Sequence, residues 1–457
     1  MRIRPKEYAL PLVFFALLAI ALPVVQPQGT TVRVEIGPNV RASDKGVSHV
    51  EPYIAAHPEN PRNLIIVASH NVEGKGVIAE AFATADAGKT WAHSPLPQLR
   101  ESLLANKFKH AVDVWVTYAP DGVAYLSHLA DLKIQERSLD QILFYRSEDQ
   151  GKTWQGPTFI LPRGSFDRPS MVASGTKSNK RIYVVASDGG GFDVLRSDDG
   201  GISFKTAASI QPDNLAHQPH HPVVLPDGSL LVPYDDYPPI SVKELHEIRR
   251  DPRKQRLNSS RIYVVRSRDG GVTFDLPQFV ADIPRMFPGG LEMAVDISNS
   301  KFRGRIYAIW NGEREDFRNV TVAYSTDAGT SWLKSAVLRA ESAGPAHFYS
   351  LAVSHDGTVG VSWLQHETGE GKEHCYRIHF AASLDGGETF TSPHVVSDIV
   401  SCPDSTSNKE TIGRWARGGD YMGLAAAADG SFHPVWVDAR DGAFQVYTAR
   451  IELRKGI

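Results

Sequence analysis

The chain has 457 residues, 42% of them hydrophobic and 22% charged, with a formal net charge of −3. That length exceeds what one hydrophobic core usually serves, so the chain must divide into domains or into repeats that pack on their neighbours. The near-neutral balance supplies no basic field for nucleic acid, and two cysteines, Cys375 and Cys402, are too few for a disulfide framework or a zinc site.

At the start, Arg2, Arg4 and Lys6 precede an apolar run from Ala9 to Val25. Charge followed by an apolar stretch is the order of a secretory signal. No small-x-small cleavage pattern follows in Gln26-Pro27-Gln28-Gly29, so an uncleaved anchor formed by residues 9–25 stands as the alternative. Residues 1–28 are read as signal peptide or membrane anchor. In either case the body, residues 30–457, is expected to be secreted, periplasmic or extracellular.

Residues 30–36, TTVRVEI, alternate apolar and polar and predict one strand. A four-part pattern then recurs: a strand, a turn, a very apolar second strand, a third strand running into a shared eight-residue turn, and a fourth strand. PYIAAHP, NLIIVAS and VIAEAFAT open the series. GLAAAADG, FHPVWVD and QVYTARIEL end it, without the shared turn.

That turn occurs six times: TADAGKTW from Thr84, SEDQGKTW from Ser147, SDDGGISF from Ser197, SRDGGVTF from Ser267, STDAGTSW from Ser325 and SLDGGETF from Ser383. The starts lie 63, 50, 70, 58 and 58 residues apart, the signature of a repeat architecture. The Asp can accept backbone N–H groups two or more residues on, the Gly takes a positive φ, and the aromatic residue anchors the turn. These turns are similar to the Asp-box (BNR repeat), and through them nearly everything after residue 45 resembles the sialidase (neuraminidase) superfamily of β-propellers. Four-stranded antiparallel units arranged radially are the propeller pattern. The count of units predicts an all-β, seven-bladed propeller closed by strand 30–36, with a six-bladed ring, as in sialidases, as the alternative.

In an up-and-down unit, the turns after the first and third strands share one end. The shared turns therefore lie on one face, and starts of first strands with ends of second strands lie on the other. Cys375 precedes a third strand and Cys402 follows the fourth strand of the same unit. Both fall on the second face, on neighbouring strands, so a disulfide is expected there.

The same face gathers polar and aromatic residues, and propeller mouths make it the default binding site. Sialidases hold an anionic sugar acid with clustered arginines and attack with a Tyr made basic by a nearby Glu, while an Asp serves as acid/base. The resemblance carries Tyr349 over as nucleophile, Glu292 as its base and Asp167 as acid/base. It carries Arg168 (in Asp167-Arg168-Pro169) and Arg314 over as substrate-binding arginines. Glu51, also expected among the substrate-binding residues, stands where that family places its first arginine, and a carboxylate there would repel a sialic acid. Asp420, Tyr421 and Arg440 form a polar cluster where the ring closes, read equally as ligand-binding or as an ion-pair network. His217, His220 and His221 precede a strand whose partner ends in Asp235-Asp236. They show no metal-motif spacing and are read as polar rim, with the two carboxylates available to a ligand.

These readings predict an exported propeller that hydrolyses glycans as an exo-α-sialidase-type glycosidase, or recognises them, through the face opposite the turns. The rival is a non-catalytic propeller binding protein or polysaccharide. No cofactor, no nucleic acid and a monomeric state are expected, with membrane contact only through residues 9–25.

Overall fold

The computed structural model describes residues 32–455 except 73–75, 98–107, 135–136, 161–166, 177–178, 189, 212–214, 238–258, 285–289, 314–315, 342–343, 373 and 405–417. The N-terminal segment and Arg314 thus lie outside the described residues. Among the described residues every regular element is a strand, and no helix is long and apolar enough to cross a membrane.

The strands form six hydrogen-bonded sheets. The first comprises two antiparallel runs, from His49–Ala56 to Ala92–Ser94 and from Phe108–Tyr118 to Gln155–Ile160. A single parallel pair, Val77 with His110, joins them. Asp167–Thr176, Ala216–Pro219 with Val223–Val224, Leu291–Val295 and Ala346–Val353 each open a further antiparallel sheet. The last sheet uses both ends of the described chain. Val32–Ile36 pairs with Ile451–Lys455, from Val32 opposite Lys455 to Ile36 opposite Ile451. This strand covers an edge that would otherwise stay unpaired. First strands touch in cyclic order, from His49–Ala56 through each successive sheet to Leu424–Ala426 and back to His49–Ala56. The architecture is a β-propeller.

Second strands carry the core because they are covered on both faces. Val359–His366 and Phe432–Asp438 are buried at every residue, and a strand covered on both faces loses the strict apolar–polar alternation. Trp363 packs with Tyr307, Ile309 and Val322 of the preceding sheet, and Trp436 lies in one cluster with Phe380 and Phe432. Each such side chain contributes roughly 1.5–3 kcal/mol by leaving water.

The six repeated turns share one hydrogen-bond set. At Asp269, Ser267 Oγ donates to Oδ1 (2.9 Å) and accepts the Gly271 N–H (2.7 Å). Oδ1 also accepts the Thr273 N–H (2.9 Å), and Oδ2 the Thr273 hydroxyl (2.6 Å). The carboxylates of Asp86, Asp149, Asp199, Asp327 and Asp385 are held likewise. The turns also clasp the preceding unit. A Cβ on Gly201 would lie 2.2 Å from Phe144 Cε1, and Trp154 Nε1 donates to Ser94 Oγ at 2.9 Å. Glycine is needed there for both its positive φ and its missing side chain.

At the other end of the strands, Cys375 and Cys402 form a disulfide with Cα atoms 4.1 Å apart. There too, first strands are irregular. Glu51, Asp113, Arg168 and Phe348 have φ between 46° and 56°, each where the register with the second strand shifts. A bulge adds one residue and re-aims its side chain. Four non-glycine residues thus hold a left-handed conformation at equivalent positions of four units, a backbone that costs energy for a residue with a side chain.

Candidate functional site

The bulged strand starts surround a central depression. One lobe is lined by Asp113, Trp115, Arg168, His220, His221, Glu292 and Tyr421 among others. A second shares Arg168, His220, Glu292 and Tyr421 and adds Gly290, Phe348, Tyr349 and Asp420. Trp115 stacks on Tyr53 (3.7 Å between centroids) and on His221 (4.7 Å). These three rings also line a deeper cavity bounded by the first strands, so the stack partitions the depression from the space below.

Among the described residues, Arg168 is the arginine that lines this site, and carboxylates surround it. The charges of Asp167, Asp420, Asp113 and Asp235 raise its pKa against the opposing effect of burial. Its backbone N–H donates to Asp113 Oδ2 at 3.3 Å. Burial pushes the Asp113 carboxyl well above the carboxylate range; Asp167 and Asp420 add to this and Arg168 opposes it. Glu292 is pushed up to about 8 by burial, with Arg168 pulling the other way. At neutral pH the site therefore offers a protonated Glu292 beside a guanidinium. Carboxyls poised near neutrality in a cleft are what proton transfer requires.

Tyr349 is placed beside this group but its hydroxyl is occupied. It donates to the Gly290 carbonyl (2.5 Å) and accepts the Gly290 N–H (3.2 Å). Burial is the first cause that raises its pKa, and Glu292 adds to it. Tyr421 donates to the Val114 carbonyl at 3.2 Å. Burial and the carboxylates of Glu51 and Asp113 likewise hold its pKa far up. Neither phenol is set up to ionise.

Of the residues expected at the site, Arg168, Glu292, Tyr349, Asp420 and Tyr421 line the depression. Glu51 does not. It is fully buried beneath Gly419, where a Cβ would lie 2.2 Å from Glu51 Cγ. Its N–H donates to the Gly418 carbonyl (2.9 Å). The expected ligand contact is thus replaced by the 418–419 loop folded over the carboxylate. Asp167 is exposed and outside the lining, and its bulge neighbour Arg168 turns inward instead. Asp235 accepts from His220 Nε2 at 2.8 Å and Asp236 from Arg261 at 3.2 Å. Arg440 is absorbed by closure: it bonds Asp438 (2.7 Å), Asp398 (2.6 Å) and Asn39 (3.2 Å) and lies over the Tyr447 ring. Asp113 and Trp115 complete the lining without having been singled out as site residues. In the sequence they sit within one alternating strand, Phe108–Tyr118, as Asp113-Val114-Trp115.

No family model and no curated protein matches this sequence. Among solved structures, the chain is similar to a Dyadobacter fermentans protein of unknown function, at 13% identity and TM-score 0.50, covering 92% of this chain and 99% of that one. It is similar to the Hadza microbial sialidase Hz136 at 14% identity and TM-score 0.47, covering 88% of this chain and 65% of that one. A third similarity is to an α-L-arabinanase of Penicillium chrysogenum, at 11% identity and TM-score 0.45, covering 74% of this chain and 92% of that one. At these identities the likeness is one of fold. The propeller has neighbours among glycoside-hydrolase propellers, and the chemistry rests on the site.

Proposed function

We propose that this chain is an exported, seven-bladed, sialidase-like propeller that acts on glycans through the central depression, as a glycosidase. The observation that carries the reading is the convergence of Asp113, Arg168, Glu292 and Asp420 around one depression floored by Trp115. Glycoside hydrolysis needs a carboxylic acid to protonate the leaving oxygen and a carboxylate to support the cationic transition state. Glu292, neutral at pH 7, is assigned as the proton donor and Asp420 as the carboxylate, with Asp113, itself pushed up by burial, beside them. Arg168 orients an acceptor oxygen of the sugar, and the Trp115 and Tyr421 rings meet its apolar face.

Tyr349 takes a positioning role in this reading. Its two bonds to Gly290 fix the strand start that carries Glu292 two residues later. Three arginines gathered on a sugar carboxylate would mark a sialidase. With Arg168 among carboxylates, a neutral glycan suits the charge better than a sialoside. The seven-blade count is supported by the cyclic contacts of the first strands. Export is supported by residues 1–28 and by the Cys375–Cys402 disulfide, a bond that persists in oxidising compartments.

The test is release of the aryl group from a panel of neutral and sialic aryl glycosides, with Glu292→Gln alongside. Turnover of a neutral glycoside, abolished by the variant, supports the reading. The second reading, a propeller that recognises glycan without cleaving it, is favoured by the occupied Tyr349 hydroxyl. Glycan binding lost in Arg168→Met, with no turnover of any substrate, would select it.

A further inference from the structure

Outside the depression, four side chains from four adjacent strands of the first antiparallel run meet on one face. His49 and His70 are register partners on the first and second strands. Glu80 lies on the third, opposite Ala68, and His93 on the fourth, opposite Phe82. Positions 68 and 70, and 78, 80 and 82, share a face because side chains alternate. His49, His70 and Glu80 are buried, and one donor atom from each lies within 4.8 Å of the others. Glu80 reaches both ways: Oε2 is 2.9 Å from His49 Nε2, and Oε1 is 3.5 Å from His93 Nε2.

The outer contacts of the two buried imidazoles decide their protonation. His49 Nδ1 faces the Val47 carbonyl at 3.2 Å, and His70 Nδ1 faces the Ser48 carbonyl at 3.3 Å. A carbonyl only accepts, so Nδ1 carries the proton on each ring, and Nε2 of a neutral ring presents a lone pair. Metal-ligating histidines are oriented in this way, donating the far N–H to a backbone carbonyl. His49 Nε2 then lies 2.9 Å from an ionised carboxylate oxygen. Two acceptors at that distance need a cation between them, either a second proton on His49 or a metal ion. A tetrahedral zinc site needs donors about 3.4 Å apart. The 2.9 and 3.5 Å separations from Glu80 bracket that value, and His49, His70 and Glu80 hold donor atoms within 4.8 Å of one another.

We propose that His49, His70, Glu80 and His93 form a structural site for a divalent transition ion of the zinc class. Three imidazoles and one carboxylate suit Zn²⁺ and exclude the all-oxygen preference of Ca²⁺ or Mg²⁺. His93 is partly exposed, 38% for its side chain, and provides the entry path. The site lies where the first run meets the closing sheet: the His49 N–H donates to the Phe444 carbonyl (2.9 Å), and Gln445 Nε2 to the Val47 carbonyl (2.8 Å). A bound ion would pin four strands of the first run beside the seam that joins the chain ends.

The experiment uses the full chain, stripped with a chelator and titrated with Zn²⁺ by calorimetry. Co²⁺ absorption reports geometry. The expected result is one tight equivalent, a tetrahedral Co²⁺ spectrum, and a melting temperature raised by several degrees, because the ion binds only the folded state. His70→Gln and Glu80→Gln should each weaken binding by tenfold or more. His93→Ala, partly exposed and free of folding risk, should do so by about tenfold. No saturable Zn²⁺ binding would overturn the proposal. Affinity unchanged in His93→Ala would overturn it as well.

Discussion

Glu292→Gln should make this protein more stable at alkaline pH while disabling it. The folded carboxyl is held at about 8 against an ordinary value of 4.5. Between those values the folded chain keeps a proton that the unfolded chain releases. Its contribution to stability is therefore complete below pH 4.5 and is lost as the pH rises towards about 8. At about 1.4 kcal/mol per pH unit this amounts to at most about 5 kcal/mol, and water in the depression reduces the expected effect to about 1–3 kcal/mol. Glutamine is neutral in both states and removes the slope. Urea unfolding of both proteins at about pH 4.5 and about pH 8.5 measures the difference. The variant should match the parent in acid and exceed it in base. Parallel loss of stability in the two proteins between those pH values would refute the claim that Glu292 is protonated in the fold. The same variant loses the proton donor, so kcat should fall roughly 10²–10⁴-fold.

Arg168→Met removes the charge that lowers both Glu292 and Asp113. The alkaline limb of kcat/KM should move to higher pH, with glycan affinity down roughly 10–100-fold; a limb that stays in place argues against Glu292 as the acid. Asp149→Ala should cost about 1–2 kcal/mol in thermal unfolding and leave activity unchanged, since the turn lies at the opposite end of the strands. Burial would raise Asp149, but bonds from Thr153, Ser147 and Lys152 outweigh it and hold the carboxyl low. The loss should therefore be full above the unfolded pKa and shrink as the pH falls through the folded one. Replacing Cys375 and Cys402 together with Ser opens a loop spanning 27 residues. By loop-closure entropy it should cost about 3–4 kcal/mol, checked by non-reducing melts.

The repeated turns were legible because their chemistry is local. Ser267, Asp269, Gly271 and Thr273 lie within seven residues and satisfy one another without help from the rest of the chain. Second strands such as Leu64–Val72 were legible because burial on both faces leaves an apolar run, here Leu64 to Ala68. The site was legible only as a face. Asp113 sits between Val112 and Val114 and reads as the outward residue of an ordinary alternating strand. Its left-handed φ of 54°, which turns it inward, has no sequence mark, because only glycine advertises that conformation. Glu51 has the same backbone and the opposite fate, since Gly418 and Gly419 of a remote loop close over it. Tyr349 matched a family motif, yet its role depends on Gly290, 59 residues away. Arg440 looked like a ligand-binding arginine because its partners Asp398 and Asn39 lie 42 and 401 residues off.

By itself the sequence determined the all-β class, the repeat, and the end of the strands at which ligand chemistry would gather. Those follow from side-chain periodicity and from turn residues that bond within a few positions. The tertiary structure decided which carboxylates meet Arg168, which are sealed under loops, and which imidazoles share Glu80. Those outcomes depend on strand register, on bulges that shift the register by a residue, and on ring closure between ends more than 400 residues apart. None of these has a local energetic signature, so only the folded ring decides whether a carboxylate faces the depression or lies sealed beneath a loop.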